Sequence, residues 1–197
     1  MARRVADLRA AFDVLVGAHP RDPISVPATF TELTDRETLR IAVVADPPGG
    51  STHGEIAAAV RAAADALSDA GHDVVEAIPP GYEETIDLCA RLLAQDLNVG
   101  RPLLDLVMGE DAKQFLDIAD EAFDAPTLET AVELQILRYA AMRVWAAFFL
   151  EHPVVISPTW AQPAFEHGTD LELGDSLFRD TLRPVLPANF LKNPSLS

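Results

Sequence analysis

A strand, a helix and a second strand follow one another between residues 39 and 78, and this order restricts the possible folds more than any other feature. Residues 39–45 are a short apolar run bounded by turn residues, which is typical of a strand buried on both faces. Residues 72–78 alternate between polar and apolar side chains and stop at two prolines. The pattern predicts parallel strands joined by a right-handed crossover, and hence an α/β fold.

The helix between these strands carries predicted signals at both ends. Thr52 and Glu55 have the spacing of a capping box, and Gly71 is the type of residue that ends a helix. One apolar face of this helix is predicted to pack on the sheet, and its members are Ile56, Ala59, Val60, Ala63 and Leu67.

Helices and loops surround this β-α-β unit. Residues 5–16 are predicted to form an amphipathic helix closed by Gly17, and prolines mark residues 17–27 as a loop. Helical patterns then cover residues 83–96, 102–122 and 127–151, and a strand at 154–157 precedes a loop at 158–163. We therefore divide the chain into residues 1–80 (helix, loop and β-α-β unit), 81–152 (a helical region) and 153–197 (strand, pocket loop and end).

The charge of the chain excludes several classes of partner. Lys and Arg number 15 against 31 Asp and Glu, which gives a net charge of -16 that repels nucleic acid and anionic membranes. The N-terminus has no unbroken apolar stretch and so does not resemble a signal peptide, and no segment is apolar enough to span a bilayer. The single cysteine, Cys89, is expected to be a buried thiol, and a cytoplasmic location is expected.

The segment from Pro47 to Ser51 contains two glycines between a strand and a helix, where backbone amides are able to hold an anion. It lacks the lysine of a phosphate loop and the third glycine of a dinucleotide-binding fingerprint, which favours a plain turn over phosphate binding. Ser51 would need an adjacent base and an oxyanion hole to act as a nucleophile, and no base is evident nearby.

Other polar residues do not form a recognisable site. The five histidines show no metal-ligand spacing, so neither a metal nor a cofactor is predicted. Lys113 follows two acidic residues in a polar helical turn and is a poor candidate for a general base. The carboxylates of Asp117, Asp120, Glu121 and Asp124 are expected to form solvated helix faces rather than an acid-base pair.

Four segments in order resemble the amidase-signature family of hydrolases. Residues 1–8 are similar to the family's Gly-Pro-Met-Ala-Arg-Ser-Val-x-Asp-Leu segment, and residues 17–27 to its Asp-Pro-x-Asp-Pro connector. Residues 154–159 resemble its strand ending in Ser/Thr-Pro-Thr, and residues 189–197 have the spacing of Asn-Leu-Thr-Gly-x-Pro-x-x-Ser. The resemblance implies part of the amidase-signature fold, in which a mixed sheet is flanked by helices and carries a helical insertion.

The resemblance further implies hydrolysis of carboxylic amides by a Ser-cisSer-Lys triad. In the family the lysine and both serines precede the segment that resembles residues 1–8, so no catalytic residue is assigned to this chain, and Gly49-Gly50-Ser51 is not the catalytic motif. Lys192 stands where the family has glycine. We therefore expect the chain to be truncated and inactive alone, with strand edges that a separate N-terminal segment or self-association would cover.

Substrate contacts are expected from the helices between residues 83 and 151 and from the loop that follows the last strand. The candidates are Tyr139, Thr159 and Trp160, which would bind a small-molecule amide, although core packing is the more common role for the two aromatic residues. Two alternatives stay open at this point: a non-catalytic binding or scaffold module, and a mononucleotide-binding α/β domain that uses the Gly49-Gly50 turn.

Overall fold

The computed structural model describes residues 4–23, 25, 27, 38–123, 125–173 and 181–191. Contacts within the chain define two compact units, residues 1–37 and residues 38–197. The sequence-based division into three parts stays a prediction. The helices and strands are α1 (Val5–Leu15), β1 (Arg40–Val43), α2 (Gly54–Asp69), β2 (Asp73–Glu76), α3 (Tyr82–Val107), α4 (Glu110–Ala122), α5 (Leu128–Glu151), β3 (Val154–Ile156), α6 (Thr169–Leu173) and α7 (Leu186–Phe190).

The first unit contains α1 and a tight turn. α1 ends at Leu15, and Gly17 after it has a φ of 118°, a backbone conformation that residues with a Cβ rarely adopt. His19 and Asp22 form an isolated bridge, and the Ser25 hydroxyl donates to the Asp22 carbonyl at 2.7 Å. The described residues after Gly17 in this unit form no helix, as the prolines predicted.

The three strands of the second unit form one parallel sheet with β1 in the centre, in the order β2-β1-β3. Ile41 pairs with Val74 on one side and with Val154 on the other. The apolar run of β1 is buried throughout its last three residues, as a strand covered on both faces requires. The predicted α/β fold with a parallel β-α-β unit is therefore confirmed, and the carboxyl ends of the strands lie along one edge of the sheet.

Helix α2 packs on the sheet through a face that differs from the predicted one. Val60 is buried as expected, but Ala57 and Ala64 are buried beside it, whereas Ala59 and Ala63 are exposed. Alanine occupies so many positions in this helix that the sequence leaves the direction of its apolar face poorly defined. The small side chains pack with Val43, Ala45, Val74 and Ile156 to form the core between α2 and the sheet.

The predicted capping box at the start of α2 is wrong. His53 is the N-cap residue, and no side chain caps the helix. The Thr52 hydroxyl instead accepts a hydrogen bond from Nη2 of Arg183 at 3.0 Å, a partner 131 residues away. A long-range contact therefore replaces the local one that the spacing of Thr52 and Glu55 predicted.

The predicted break between helices near residue 100 is also wrong, because α3 continues through Pro102 to Val107. Proline removes one backbone hydrogen bond from a helix interior, but Arg101 bridges this point. Its Nε lies 2.7 Å from the Asp105 carboxylate one turn later. The chain breaks instead at Met108 and Gly109, which have extended backbone conformations before α4 begins.

Helices α3, α5 and α7 form a second apolar core. The Tyr82 and Trp145 rings lie 5.3 Å apart, and Trp145 also contacts Phe149 at 6.4 Å. Cys89 is 1% exposed within this core, which confirms the predicted buried thiol. In the part of the chain that is described, no helix combines the length and the apolar character needed to cross a membrane.

Candidate functional site

Three segments meet at the carboxyl edge of the sheet, and we call residues 44–53, 157–162 and 181–185 together the sheet-edge site. The backbone N–H of Val44 donates to Ile156 at 2.9 Å, which joins the ends of β1 and β3. The N–H of His53 donates to Ala161 at 2.8 Å, and the N–H of Ala161 donates to Thr181 at 3.1 Å. Crevices at the carboxyl ends of parallel strands are the usual ligand sites of open α/β sheets.

The buried side chain of Arg183 holds residues 44–53, the first of these three segments, in place. Its side chain is 0% exposed. Nε donates to the Pro47 carbonyl at 3.0 Å, while Nη2 donates to the Thr52 hydroxyl at 3.0 Å and to Asp46 Oδ1 at 3.3 Å. A buried guanidinium requires such acceptors because an unsatisfied buried charge is strongly unfavourable. The planar group therefore fixes the loop between β1 and α2 in one position.

Two further hydrogen bonds hold the loop between β1 and α2, one within the loop and one from residues 157–162. Asp46 Oδ1 accepts from the Thr52 N–H at 2.9 Å, and Gln162 Nε2 donates to the Ser51 carbonyl at 3.0 Å. Gly49 has a φ of 89°, and a Cβ at that position would lie 3.6 Å from Cγ of Glu83 at the start of α3. Glycine is thus favoured there by backbone conformation, as a turn requires.

The first residue of α3 links the helical layer to the sheet-edge site. The Tyr82 hydroxyl donates to the Pro184 carbonyl at 3.3 Å, next to Arg183. Burial raises the pKa of Tyr82, and the positive charge of Arg183 opposes this effect. Tyr82 therefore stays protonated as a hydrogen-bond donor, and it supports the segment that carries Arg183.

The three predicted substrate-binding residues lie in two different places. Thr159 is exposed and Trp160 is half-buried within the sheet-edge site, where the Trp160 ring stacks with Phe165 at 6.4 Å. Tyr139 lies on α5 with 60% of its surface exposed. Core packing is therefore the wrong interpretation for Tyr139. The substrate-binding role of the three residues stays a prediction.

The other candidate residues stand apart from one another. Lys113 forms an ion pair with Glu110 at 3.0 Å on the surface of α4. The described residues contain no group of three or more histidine, cysteine and acidic side chains arranged to hold a metal ion. Burial raises the pKa of the Cys89 thiol to about 12, and the charge of Arg138 opposes this shift, so the thiol stays protonated and unreactive at neutral pH.

The acidic residues of α4 form an ion-pair network rather than only a solvated face. Arg101 on α3 contacts Asp117 at 2.6 Å and Asp120 at 2.9 Å, in addition to Asp105. These hydrogen bonds raise the pKa of Arg101, with Asp117 as the largest cause. Asp117 is exposed, as expected of a solvated face, but the sequence did not predict the ion pairs that Arg101 forms with Asp117 and Asp120 from the neighbouring helix. Asp124 falls outside the described residues.

A cavity of about 350 Å³ lies between α3, the end of α4 and the start of α5. Arg91, Gln95 and Asp120 contribute polar atoms to its lining, and Phe123 and Leu134 contribute apolar surface. Neither Thr159, Trp160 nor Tyr139 lines this cavity. It is therefore separate from the predicted substrate contacts.

Arg183 is the residue of the sheet-edge site that sequence reasoning missed. The signal was present, because Arg183 interrupts the mostly apolar run from Leu182 to Leu186, and a cation inside such a run is a candidate for a buried, paired charge. Its partners could not be foreseen, since Asp46 lies 137 residues earlier in the chain.

Comparison with known proteins decides the family. The model of the Amidase family matches residues 1–197, the full length of the sequence. The chain belongs to the Amidase family. The resemblance carried by the four sequence segments is thereby confirmed, and the α/β fold of this Amidase-family chain agrees with it.

Curated relatives of this Amidase-family chain are hydrolases by name. Indoleacetamide hydrolase of Bradyrhizobium japonicum is 29% identical over 164 residues, which cover 83% of this chain and 35% of the relative. The 6-aminohexanoate-cyclic-dimer hydrolase of Pseudomonas sp. (strain NK87) is 28% identical and covers 100% of this chain and 45% of the relative. The chain thus spans between about a third and a half of the length of these relatives.

A solved structure of fatty acid amide hydrolase has the same fold. It superposes with a TM-score of 0.64 at 18% identity, and the match covers 87% of this chain and 30% of that protein. At this identity the similarity supports the fold alone.

Proposed function

We propose that this chain forms the substrate-pocket part of an amide hydrolase and that it is inactive without a separate segment that supplies the catalytic serines and lysine. The observation that carries the proposal is the sheet-edge site, which Arg183 fixes in position but in whose described part no base is hydrogen-bonded to a serine hydroxyl. Among the described residues, no hydrogen bond joins the Ser51 hydroxyl to a lysine or histidine, and Lys113 is engaged with Glu110. A serine needs such a base to become a nucleophile.

The outer face of α5 supports the need for a further segment. Large apolar side chains recur along it at intervals of three or four residues and are between 52% and 84% exposed: Leu128, Val132, Ile136 and Tyr139. The opposite face of the same helix buries Leu134 and Trp145. A helix that is apolar on both faces is typical of one covered on both sides. We infer that a separate N-terminal segment, or a second copy of the chain, covers this outer face.

The proposed substrate is a small-molecule amide. The curated relatives are named for hydrolysis of indoleacetamide and of a cyclic dimer of 6-aminohexanoate, both of which contain amide bonds. Trp160 and Phe165 provide a stacked aromatic surface beside the sheet-edge site, and Thr159 adds an exposed hydroxyl next to it. We assign substrate contact to the two loop residues Thr159 and Trp160. Tyr139 lies on the outer face of α5, which the further segment would cover.

The contacts of the loop between β1 and α2 disfavour the alternative of mononucleotide binding. Two backbone amides that would face a phosphate already have partners, because Thr52 N–H donates to Asp46 and His53 N–H donates to Ala161. Arg183 balances the charge of Asp46, and Glu83 beside Gly49 leaves the local charge negative. A phosphate group would be repelled here.

The proposal is tested by assaying the purified chain against simple aliphatic and aromatic amides, alone and with a second polypeptide. That polypeptide is the part of the Bradyrhizobium japonicum indoleacetamide hydrolase that this chain does not match. We expect no turnover by the chain alone and measurable amide hydrolysis by the mixture or by a fusion of the two.

Turnover by the chain alone would contradict the proposal, and loss of that turnover in Ser51→Ala would identify Ser51 as the nucleophile instead. A folded mixture that binds amides without hydrolysing them would favour the alternative of a non-catalytic binding module. Trp160→Ala serves as the second variant, since we expect it to raise KM in the complemented enzyme while the thermal midpoint stays almost unchanged.

A further inference from the structure

The cavity between α3, α4 and α5 has the size of a small-molecule site. Its volume of about 350 Å³ falls at the lower end of the range of about 300 to 1,000 Å³ that is usual for ligand pockets. Ala94, Phe123 and Leu134 contribute apolar surface, and half of the lining residues are polar. A lining with both parts suits a small ligand that combines a charged group with an apolar body.

Arg91 brings an uncompensated positive charge to this cavity. No ion pair or hydrogen bond engages it within the described ranges, even though Asp87 lies one turn before it on α3. A guanidinium presents paired N–H donors that match the two oxygens of a carboxylate.

Gln95 lies one turn after Arg91 and also lines the cavity. Its Oε1 atom is buried without a hydrogen-bond partner. A buried amide without partners is costly, and such a group commonly marks the place of a water or a ligand. The same amide also carries the Nε2 donor, which is able to donate to a carboxylate that Arg91 holds.

The one acidic residue of the lining does not cancel this preference. Asp120 is engaged by Arg101 at 2.9 Å and accepts from Asn98 Nδ2 at 3.3 Å. Its charge is therefore balanced by groups other than Arg91. Because the net charge of the whole chain repels anions, an anion that binds here must be recognised by these local contacts rather than by the general field.

We propose that this cavity binds a small carboxylate with an apolar body, with the carboxylate on Arg91 and Gln95 and the body against Phe123 and Leu134. The site is separate from the sheet-edge site and does not depend on amide hydrolysis, because the ligand is bound and not transformed. Its failure would leave the proposed function untouched.

The test is titration calorimetry of the full chain with phenylacetate, with neutral phenylacetamide and with sulfate. We expect saturable binding of phenylacetate, and an affinity for phenylacetamide that is lower by about tenfold or more, since a charge-assisted contact is lost. Sulfate, which lacks an apolar body, should bind more weakly than phenylacetate. Arg91→Gln should reduce the affinity for phenylacetate to that for phenylacetamide.

Arg61→Gln on the exposed surface of α2 is the matched control and should leave the affinity unchanged. Ala125→Trp places a large side chain at an exposed residue of the lining and should abolish binding, with circular dichroism showing a folded protein. Equal affinity for phenylacetate and phenylacetamide, an unchanged affinity in Arg91→Gln, or no saturable binding by the folded chain would each overturn the proposal. Sulfate binding as tight as phenylacetate binding would also overturn it, because the apolar body would then have no role.

Discussion

At the sheet-edge site a fully buried arginine is surrounded by oxygen acceptors of its own chain, whereas on the outer face of α5 large apolar side chains face solvent. The guanidinium of Arg183 has partners on Asp46, Pro47 and Thr52. Ile136, by contrast, is 63% exposed. The difference shows that the sheet-edge site balances its buried charge with oxygen atoms of its own segments, while the outer face of α5 leaves apolar side chains uncovered.

The largest effect is expected from the buried face of α5. Trp145→Ala should lower the free energy of unfolding by about 3 to 5 kcal/mol, because it leaves a cavity in the core of α3, α5 and α7. Tyr139→Ala on the exposed face should change it by less than about 0.5 kcal/mol. Urea denaturation measures both values. Equal effects would show that the two faces of α5 do not differ in packing.

Trp145→Phe sharpens this prediction. Trp145 Nε1 is buried without a hydrogen-bond partner, so removal of the indole N–H offsets part of the lost packing. We therefore expect Trp145→Phe to cost clearly less than Trp145→Ala.

A smaller effect, about 3 kcal/mol, is expected for Arg183→Ala. The substitution removes a buried side chain and leaves the Pro47 carbonyl and the Thr52 hydroxyl without their partner. This loss of stability lies at the lower end of the range expected when a buried ion pair is broken, because Asp46 is 55% exposed and water is able to replace its lost partner. The control is Arg40→Ala, whose exposed ion pair with Asp73 at 3.5 Å should contribute less than about 1 kcal/mol. Similar losses for both arginines would contradict the view that Arg183 holds the sheet-edge site.

Cys89 should make the helical core sensitive to alkaline pH. The ordinary thiol pKa is 9.0 and burial raises the pKa of Cys89 to about 12, so between these values the unfolded chain releases a proton that the folded chain retains. This contribution to stability is complete below pH 9 and is lost as the pH rises towards 12. The free energy of unfolding should fall by up to about 1.4 kcal/mol per pH unit in this window. Cys89→Ala should reduce that slope, and an unchanged slope would contradict the assignment.

The smallest effect is expected for the surface network of Arg101. Arg101→Gln leaves Asp105, Asp117 and Asp120 close together without their shared cation. The thermal midpoint should fall at low salt and recover as salt screens the repulsion. Lys113→Gln, which removes a single exposed pair with Glu110, is the control and should show little dependence on salt. A salt-independent loss in Arg101→Gln would point to packing around Pro102 instead.

Local patterns were sufficient for the parts of the fold that depend on near neighbours. The strands at 39–45, 72–78 and 154–157 were predicted to within a few residues, because alternation and turn residues act over short distances. The path of α3 through Pro102 was missed, since the compensating contacts of Arg101 reach α4. Arg183 was missed for the same reason, as its partners are distant in sequence. The family was predicted from the order of four short segments along the chain, and that order does not depend on any single contact.

The hydrogen bond between Arg183 and Asp46 is able to form only after both residues have been synthesised. These residues are 137 positions apart, so at about 5 to 20 residues per second the loop after β1 waits roughly 7 to 27 s on the ribosome for its partner. The β-α-β unit has time to form before Arg183 is made, but its loop then lacks the guanidinium that fixes it. The sheet-edge site is therefore completed only after Arg183 has been made, and its completion depends on a contact between distant parts of the chain, which is the slowest kind to form.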